Sequence, residues 1–134
     1  MVDAALNIAA SGLRASSTRI GNAANNIANS NSLQTERDGE VTDTPYVPQQ
    51  VVQTSLETGG VLAEVRPVDS ARATIPVFNP DSPQANEEGI VNIPNTDLPS
   101  DIVQTKIATY DFKANLKVVE AEKKTTEDLL NIIA

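Results

Sequence analysis

Apolar residues near the start of the chain recur with the period of a packed helix. Four large ones are spaced seven residues apart: Leu6, Leu13, Ile20 and Ile27. Small residues lie between them, at Ala9, Ser16 and Ala23 or Ala24. A repeat of about 3.5 residues predicts a helix that packs along another helix, and the small residues require that the partner approach closely.

The end of the chain predicts a longer helix. Asp97 or Ser100 can cap it, Pro99 is tolerated in the first turn, and no Gly or Pro follows. A helix over 98–133 would span about 54 Å at 1.5 Å per residue. That length exceeds the width of a compact domain of this size, so we expect the helix to project.

This C-terminal helix carries two apolar stripes. The first stripe contains Val103, Ile107, Tyr110, Ala114, Val118, Ala121, Leu129 and Ile132. The second stripe contains Phe112, Leu116, Val119, Leu130 and Ile133. A helix with two apolar stripes needs more than one neighbour to cover them.

The centre of the chain predicts short strands. All eight prolines lie between Pro45 and Pro99, where they exclude long helices. The predicted strands are 51–56, 61–66, 73–78 and 90–93, the first two joined by a hairpin turn through Gly59 and Gly60. The segment 31–46 has turn and charge signals without periodicity, so we expect a long loop there.

Together these patterns predict an α+β protein. Its N- and C-terminal helices pair as an antiparallel coiled coil, with a small central β-rich segment and a long loop. The predicted parts are 1–31 (N-terminal helix of an inner coiled-coil domain), 32–97 (acidic loop and β-rich centre) and 98–134 (C-terminal helix of the same coiled-coil domain).

The charge of the chain is concentrated in its centre. Of 134 residues with a net charge of −8, the segment 32–97 holds eleven acids and three arginines, a net −8 by itself. We interpret this charge as keeping the centre solvated. An acidic chain of this kind does not track nucleic-acid phosphates.

Candidate chemistry is sparse. Without Cys or His, the chain has no thiolate or imidazole metal ligand and no histidine base. Glu87-Glu88 and the acids at 38–43 lack the spacing of a calcium loop, and solvated loop charge is the simpler interpretation. The sequence therefore predicts no enzyme, catalytic residue, cofactor, metal or small-molecule substrate. It also contains no run of about 18 apolar residues and no secretory signal pattern.

Two short motifs resemble those of a known family. Ala24-Asn25-Asn26-Ile27-Ala28-Asn29, after a helix rich in small residues, is similar to the N-terminal signature of flagellar axial proteins (rod, hook and hook-associated proteins). Phe112-Lys113-Ala114-Asn115-Leu116-Lys117 is similar to their terminal-helix motif. Asn25, Asn26, Asn29, Ala114 and Asn115 carry the likeness.

The centre narrows the resemblance to the flagellar basal-body rod proteins, and within them to the proximal rod. Pro94-Asn95-Thr96-Asp97-Leu98 is its most specific block. Phe112 and Ile90 depart from the family pattern, since each stands where Tyr is usual.

The resemblance implies a structural subunit of the proximal rod in the basal body, a drive shaft that crosses the periplasm. It implies export by the flagellar type III apparatus without a cleaved signal peptide, and polymerisation through the terminal helices. The implied partners are other rod proteins, neighbouring copies of the chain, the rod–MS-ring junction protein and the export apparatus.

Under this interpretation we expect the first stripe to meet the N-terminal helix of the same subunit and the second to meet neighbouring subunits. The predicted packing contacts are Leu6, Leu13, Ile20, Ile27, Ile107, Phe112, Leu116, Val118, Val119 and Leu129. The amides of Asn25, Asn26, Asn29 and Asn115 either bridge backbones at the helix ends or serve as ordinary caps.

Two other functions fit the same patterns. One is a distal-rod or hook protein, although such proteins generally carry a larger central insertion. The other is a soluble helical adaptor or chaperone of the export system, which would remain a small discrete oligomer.

Overall fold

Two long helices are the first and last elements of the chain, as the periodicity predicts. In the computed structural model, which describes residues 2–33, 35–37, 40–43 and 46–133, α1 covers Val2–Asn29 and α2 covers Leu98–Ile133. The two helices run antiparallel and make the most extensive contact between elements of the chain. The expected α+β class with paired terminal helices is confirmed.

The central residues form three separate two-stranded antiparallel sheets. The strands are β1 (Thr35–Arg37), β2 (Glu40–Asp43), β3 (Gln49–Ser55), β4 (Val61–Pro67), β5 (Thr74–Phe78) and β6 (Ile90–Pro94). They pair β1 with β2, β3 with β4 and β5 with β6. The last four strands match the predicted runs to within two residues.

The β1–β2 pair corrects the prediction of a long loop over 31–46. Glu36 pairs with Val41 and Arg37 with Glu40, and the register shifts between Thr35 and Glu36. The sequence between these strands is Asp38-Gly39, a dipeptide favoured in two-residue hairpin turns. These strands are only three and four residues long, too short for an alternating pattern to stand out. Residues 38, 39, 44 and 45 lie outside the described residues.

The turn between β3 and β4 depends on its two glycines. Gly59 and Gly60 have φ angles of +85° and +95°, which side chains disfavour. The N–H of Leu56 donates to the carbonyl of Gly60 at 3.1 Å and closes the turn.

The start of α2 follows the predicted capping. The carboxylate of Asp97 accepts the N–H of Ser100 at 3.1 Å, and Pro99 lies in the first turn, where its missing N–H costs little. Asp97 is therefore the cap, and Ser100 is inside the helix.

Small residues fill the space between the elements. The buried apolar residues include Ala9, Ala15, Ala23 and Ala108, the last with 0% exposure. No large side chain among the described residues is fully buried. One side of α1 packs on α2 and another on β3–β4, so α1 lies between the second helix and the central hairpin. None of the described helices is long and apolar enough to cross a membrane.

Candidate assembly surface

The side-chain amide of Asn26 joins three elements. Its Nδ2 donates to the carbonyl of Gln49 at 2.9 Å and to Oδ1 of Asp101 at 3.2 Å. Its Oδ1 accepts the hydroxyl of Tyr46 at 2.9 Å and the N–H of Gln49 at 3.0 Å. Both donors and both acceptor positions of this buried amide are therefore used.

Two ionisable groups border this junction. Burial raises the pKa of Asp101 above its ordinary value, and the charge of Asp97 raises it further, whereas the hydrogen bond from Asn26 lowers it. Burial also raises the pKa of Tyr46, and the nearby charge of Asp101 adds to this effect. Tyr46 therefore stays protonated and keeps the hydroxyl donor that Asn26 accepts.

The other motif residues have local roles or face solvent. Asn29 Nδ2 donates to the carbonyl of Asn25 at 2.8 Å, and Asn115 Nδ2 donates to that of Asp111 at 2.8 Å. Asn25 and Ala114 are exposed. Of the asparagine amides in the two motifs, that of Asn26 bridges separate elements, and those of Asn29 and Asn115 bond to the preceding turn of their own helix.

Gly12 marks the closest approach of the two helices. A Cβ added at Gly12 would lie 2.7 Å from side-chain atoms of Asn115, well inside van der Waals contact. The same construction at Gly21 meets nothing within 4 Å. Gly12 therefore lets the Asn115 amide pack directly against the α1 backbone.

Arg19 ties the middle of α1 to α2. One guanidinium nitrogen is 2.7 Å from Oδ2 of Asp111, and the other donates to Oε1 of Gln104 at 2.8 Å. Since the Arg19 side chain is only 17% exposed, this ion pair is partly shielded from solvent.

Ser11 attaches the β3–β4 hairpin to α1. Its hydroxyl donates to the carbonyl of Ile8 at 2.7 Å and accepts the N–H of Val61 at 3.1 Å. A Cβ on Gly60 would collide with the Ser11 hydroxyl. The hairpin turn therefore rests directly on the helix.

The large apolar residues of α1 lie beside the helix contact. Leu6, Leu13, Ile20 and Ile27 are all half-buried. Helical geometry places them about 100° around α1 from Gly12, on the side away from the hairpin. Small residues such as Ala9, Ser16 and Ala23 occupy the centre of the contact instead, and they are buried. The expected close approach is present, and the Leu and Ile side chains cover its edge.

The two stripes of α2 are arranged opposite to our expectation. Phe112 and Val119 of the second stripe are half-buried and lie on the side of α2 that carries the buried Ala108. Ile107 and Val118 of the first stripe are each 43% exposed. The side of α2 that faces α1 contains Ala108 and Asn115, which permit close approach of the two helices. The less apolar side of α2 therefore faces α1. The first stripe is left uncovered within the monomer.

The C-terminal end of α2 extends past its partner. Because Gly12 lies opposite Asn115, the start of α1 lies opposite residue 125, and about two turns of α2 continue beyond it. Leu129, Leu130 and Ile132 are exposed there, Ile132 by 80%. Leu116 is also exposed at 40%.

Several residues of these contacts were not singled out from the sequence. They are Gly12, Arg19, Asn22, Tyr46 and Asp101. The four-residue spacing of Asn22 and Asn26 is a signal that both amides share a helix face. Their common acceptor, the carbonyl of Gln49, is a tertiary feature without a sequence signal.

The described residues hold no metal-binding cluster of three or more carboxylate, thiol or imidazole groups. Glu87 and Glu88 are exposed. Side chains of the acidic run 38–43 lie outside the described residues.

Comparison with known proteins identifies similar chains. The flagellar basal-body rod protein FlgC of Yersinia enterocolitica is 37% identical over 123 residues, covering 87% of each chain. FlgC of Escherichia coli O6:H1 is 35% identical over 121 residues, again 87% of each. FlgC of Aquifex aeolicus is 31% identical over 127 residues, which are 92% of this chain and 90% of the relative. No family model matches the chain.

Proposed function

The chain belongs to the FlgC family of flagellar basal-body rod proteins, and from that membership we propose how it works as a structural subunit of the proximal rod. The paired helices α1 and α2 form the part that packs in the axial assembly. The central segment 32–97 lies outside this contact and carries the surplus negative charge.

The apolar stripe that α1 leaves uncovered on α2 is the observation that supports this proposal. Val103, Ile107, Tyr110 and Val118 are between 43% and 71% exposed on one helix. The same helix then extends beyond α1 with Leu129, Leu130 and Ile132 exposed. Exposure of an apolar surface of this extent to water is unfavourable, and contact with neighbouring subunits would bury it.

The hydrogen bonds of Asn26 and the ion pair of Arg19 are consistent with a subunit that transmits torque. They hold α1, α2 and β3 in fixed mutual positions before any neighbour is present. A subunit that transmits torque benefits from such a pre-formed junction, since little conformational entropy remains to be lost on assembly.

The finer features of the role are part of the same proposal. The chain passes through the flagellar type III export apparatus without a cleaved signal peptide, and it contacts other rod proteins, further copies of itself and the rod–MS-ring junction protein. Its role is structural and not enzymatic. A distal-rod or hook protein would generally have a larger central insertion. This chain instead aligns with two FlgC relatives over 87% of its own length and 87% of theirs.

Basal-body purification tests this function. In a flagellated bacterium whose own copy of the gene is deleted, an epitope-tagged chain should restore swimming and remain in detergent-extracted basal bodies after the filament is removed. A tagged chain that restores swimming but stays in the soluble fraction would favour the adaptor or chaperone role instead.

A further inference from the structure

A groove lined mainly by apolar residues lies between the first half of α1 and the start of β4. Its volume is about 310 Å³, comparable to the smaller ligand pockets and enough for a few side chains. The apolar residues that line it are Ala15, Leu56, Val61, Leu62 and Ala63. Leu56 is 42% exposed and Leu62 47%, so part of this apolar surface is open to an occupant.

Arg14 gives the groove a positive charge. It is the charged residue among those that line the groove, and its side chain is exposed. Within the described residues it forms no salt bridge. The N–H of Val61, the polar backbone group at this wall, is already bonded to the hydroxyl of Ser11. An occupant that suits the groove therefore combines apolar side chains with a carboxylate.

The end of α2 that extends beyond α1 has this combination. Helical geometry places Ile132 between Asp128 and Leu129, about 40° from the first and 60° from the second. Ile132 is 80% exposed and Leu129 49%. Residues 125–134 contain two acids and no base. Glu127 lies 3.6 Å from the ammonium of Lys123, whereas Asp128 has no salt bridge within the described residues.

The middle of the same apolar stripe suits the groove less well. Lys106, Lys113 and Lys117 border the first stripe of α2 along one side, and all three are exposed. Their positive charges would be brought toward Arg14 if the middle of the stripe occupied the groove, which is unfavourable. The acidic end of the stripe is therefore the part of α2 that matches the groove in both polarity and charge.

The end of α2 cannot reach the groove of its own chain. Because Gly12 lies opposite Asn115, Arg14 lies opposite residue 113 of the antiparallel α2. Ile132 is nineteen residues farther along, about 28 Å at 1.5 Å per residue. Since α2 is helical without interruption to Ile133, its end cannot fold back over this distance. The two complementary surfaces can therefore meet only between two molecules.

We propose that the end of α2 of one copy docks into the α1–β4 groove of a second copy. Leu129 and Ile132 insert between the apolar walls, and the carboxylate of Asp128 pairs with the guanidinium of Arg14. The inference rests on the proposed assembly into a rod. Because the two surfaces differ, the contact is head-to-tail and leaves a free groove at one end and a free helix end at the other, so further copies can add.

Photo-cross-linking from the groove tests the identity of the occupant. Benzoylphenylalanine replaces Leu62 in the groove, or Ile75 of β5, a control with similar exposure that does not line it. In basal bodies, the probe at position 62 should give an adduct of twice the chain's mass that maps to the last two turns of α2. The probe at position 75 should not give this adduct. An adduct with a different protein or with another part of the chain, or no adduct from position 62, would overturn the proposal.

Charge reversal tests the pairing of Arg14 with Asp128. Arg14→Glu and Asp128→Arg should each lower the amount of chain in basal bodies by roughly tenfold, and both monomers should melt like the parent because both side chains are exposed. The double variant Arg14→Glu/Asp128→Arg should recover assembly. The matched control Arg14→Glu/Glu127→Arg has the same net charge and should remain defective, because Glu127 lies about 140° from Ile132 around the helix.

The contrary results of the charge series are equally specific. Normal assembly of both single variants would show that the two charges do not meet. Failure of the first double variant to recover, or equal recovery of the control, would show that Arg14 is not paired with Asp128. Each of these results overturns the proposal.

Failure of the rod function has a different outcome. If the unaltered chain is absent from basal bodies, the proposed function is wrong. If the unaltered chain is present but the cross-link and the charge series give the contrary results, only the docking of α2 into the groove is wrong.

Discussion

The side-chain amide of Asn26 makes four hydrogen bonds to three residues, Tyr46, Gln49 and Asp101. At the scale of single residues, loss of such an amide is destabilising, because it leaves several part-buried partners unsatisfied at once. Gly12 contributes in the opposite way, through the side chain that it lacks. Two other residues destabilise the monomer where they lie. The carboxyl group of Asp101 is partly desolvated by burial, and the buried Oδ1 of Asn22 has no hydrogen-bond partner among the described residues.

Replacing Asn26 should destabilise the monomer much more than replacing its neighbour. Asn26→Ala leaves the Tyr46 hydroxyl and the Gln49 N–H without their acceptor, and we expect a loss of about 2 kcal/mol or more in the free energy of unfolding. The exposed Asn25→Ala should change it by less than about 0.5 kcal/mol. Chemical denaturation of both variants measures the difference, and equal stabilities would contradict the role of Asn26 as a junction.

The two glycines of α1 should respond oppositely to alanine. Gly21→Ala meets no neighbour and should stabilise the chain by up to about 1 kcal/mol through helix propensity. Gly12→Ala forces Asn115 away from the backbone and should destabilise it by about 1 kcal/mol or more. Thermal melting compares the pair, and a stabilising Gly12→Ala would show that the helices do not approach as closely as described.

Asp101 should make stability depend on pH. Because its pKa in the folded state is raised above the ordinary value of 3.8, its contribution is fully present below that value and is lost as the pH rises through the folded-state pKa. Asp101→Asn keeps an acceptor for Asn26 without this loss. The variant's melting temperature, relative to the parent, should therefore be higher at pH 7 than at pH 3. If the melting temperature of the variant relative to the parent is instead lower at pH 7 than at pH 3, the burial of Asp101 is contradicted.

At the scale of elements, the sequence predicts the helices and most strands because these depend on local periodicity, capping and turn chemistry. Asp97 with Pro99 fixes the start of α2, and Gly59-Gly60 fixes one hairpin. Which side of α2 meets α1 depends on close approach, a property of two elements together. Hydrophobicity favoured the stripe with Ile107 and Val118, whereas the small residues select the side with Ala108. The β1–β2 pair was missed because two strands of three and four residues are too short for a visible alternation.

The two stripes of α2 should respond differently to a charge. Val119 is half-buried toward α1, so Val119→Asp should lower monomer stability by several kcal/mol as well as abolish swimming. Val118 is exposed in the monomer, so Val118→Asp should melt like the parent and still abolish swimming and assembly. Melting curves and swimming assays on both variants check this, and a swimming Val118→Asp strain would show that no neighbour covers the first stripe.

At the scale of the whole molecule, the chain divides its surface between two tasks. The central segment 32–97, which forms three separate two-stranded sheets, carries the surplus negative charge, and the helix pair carries a long uncovered apolar stripe. The tertiary partners of Asn22 and Asn26 have no sequence signal, because these contacts require α1, β3 and α2 to be brought together. The family resemblance located Asn26 without indicating its partners.

Covering of the α2 stripe on assembly is the central claim, and cysteine labelling tests it most directly. The chain has no native cysteine, so Val118→Cys is a unique thiol, and Glu87→Cys in the exposed central region is its control. Both should react with a maleimide in the purified monomer. In basal bodies, Glu87→Cys should still react and Val118→Cys should be protected. Equal labelling of Val118→Cys in monomer and basal body would contradict the account.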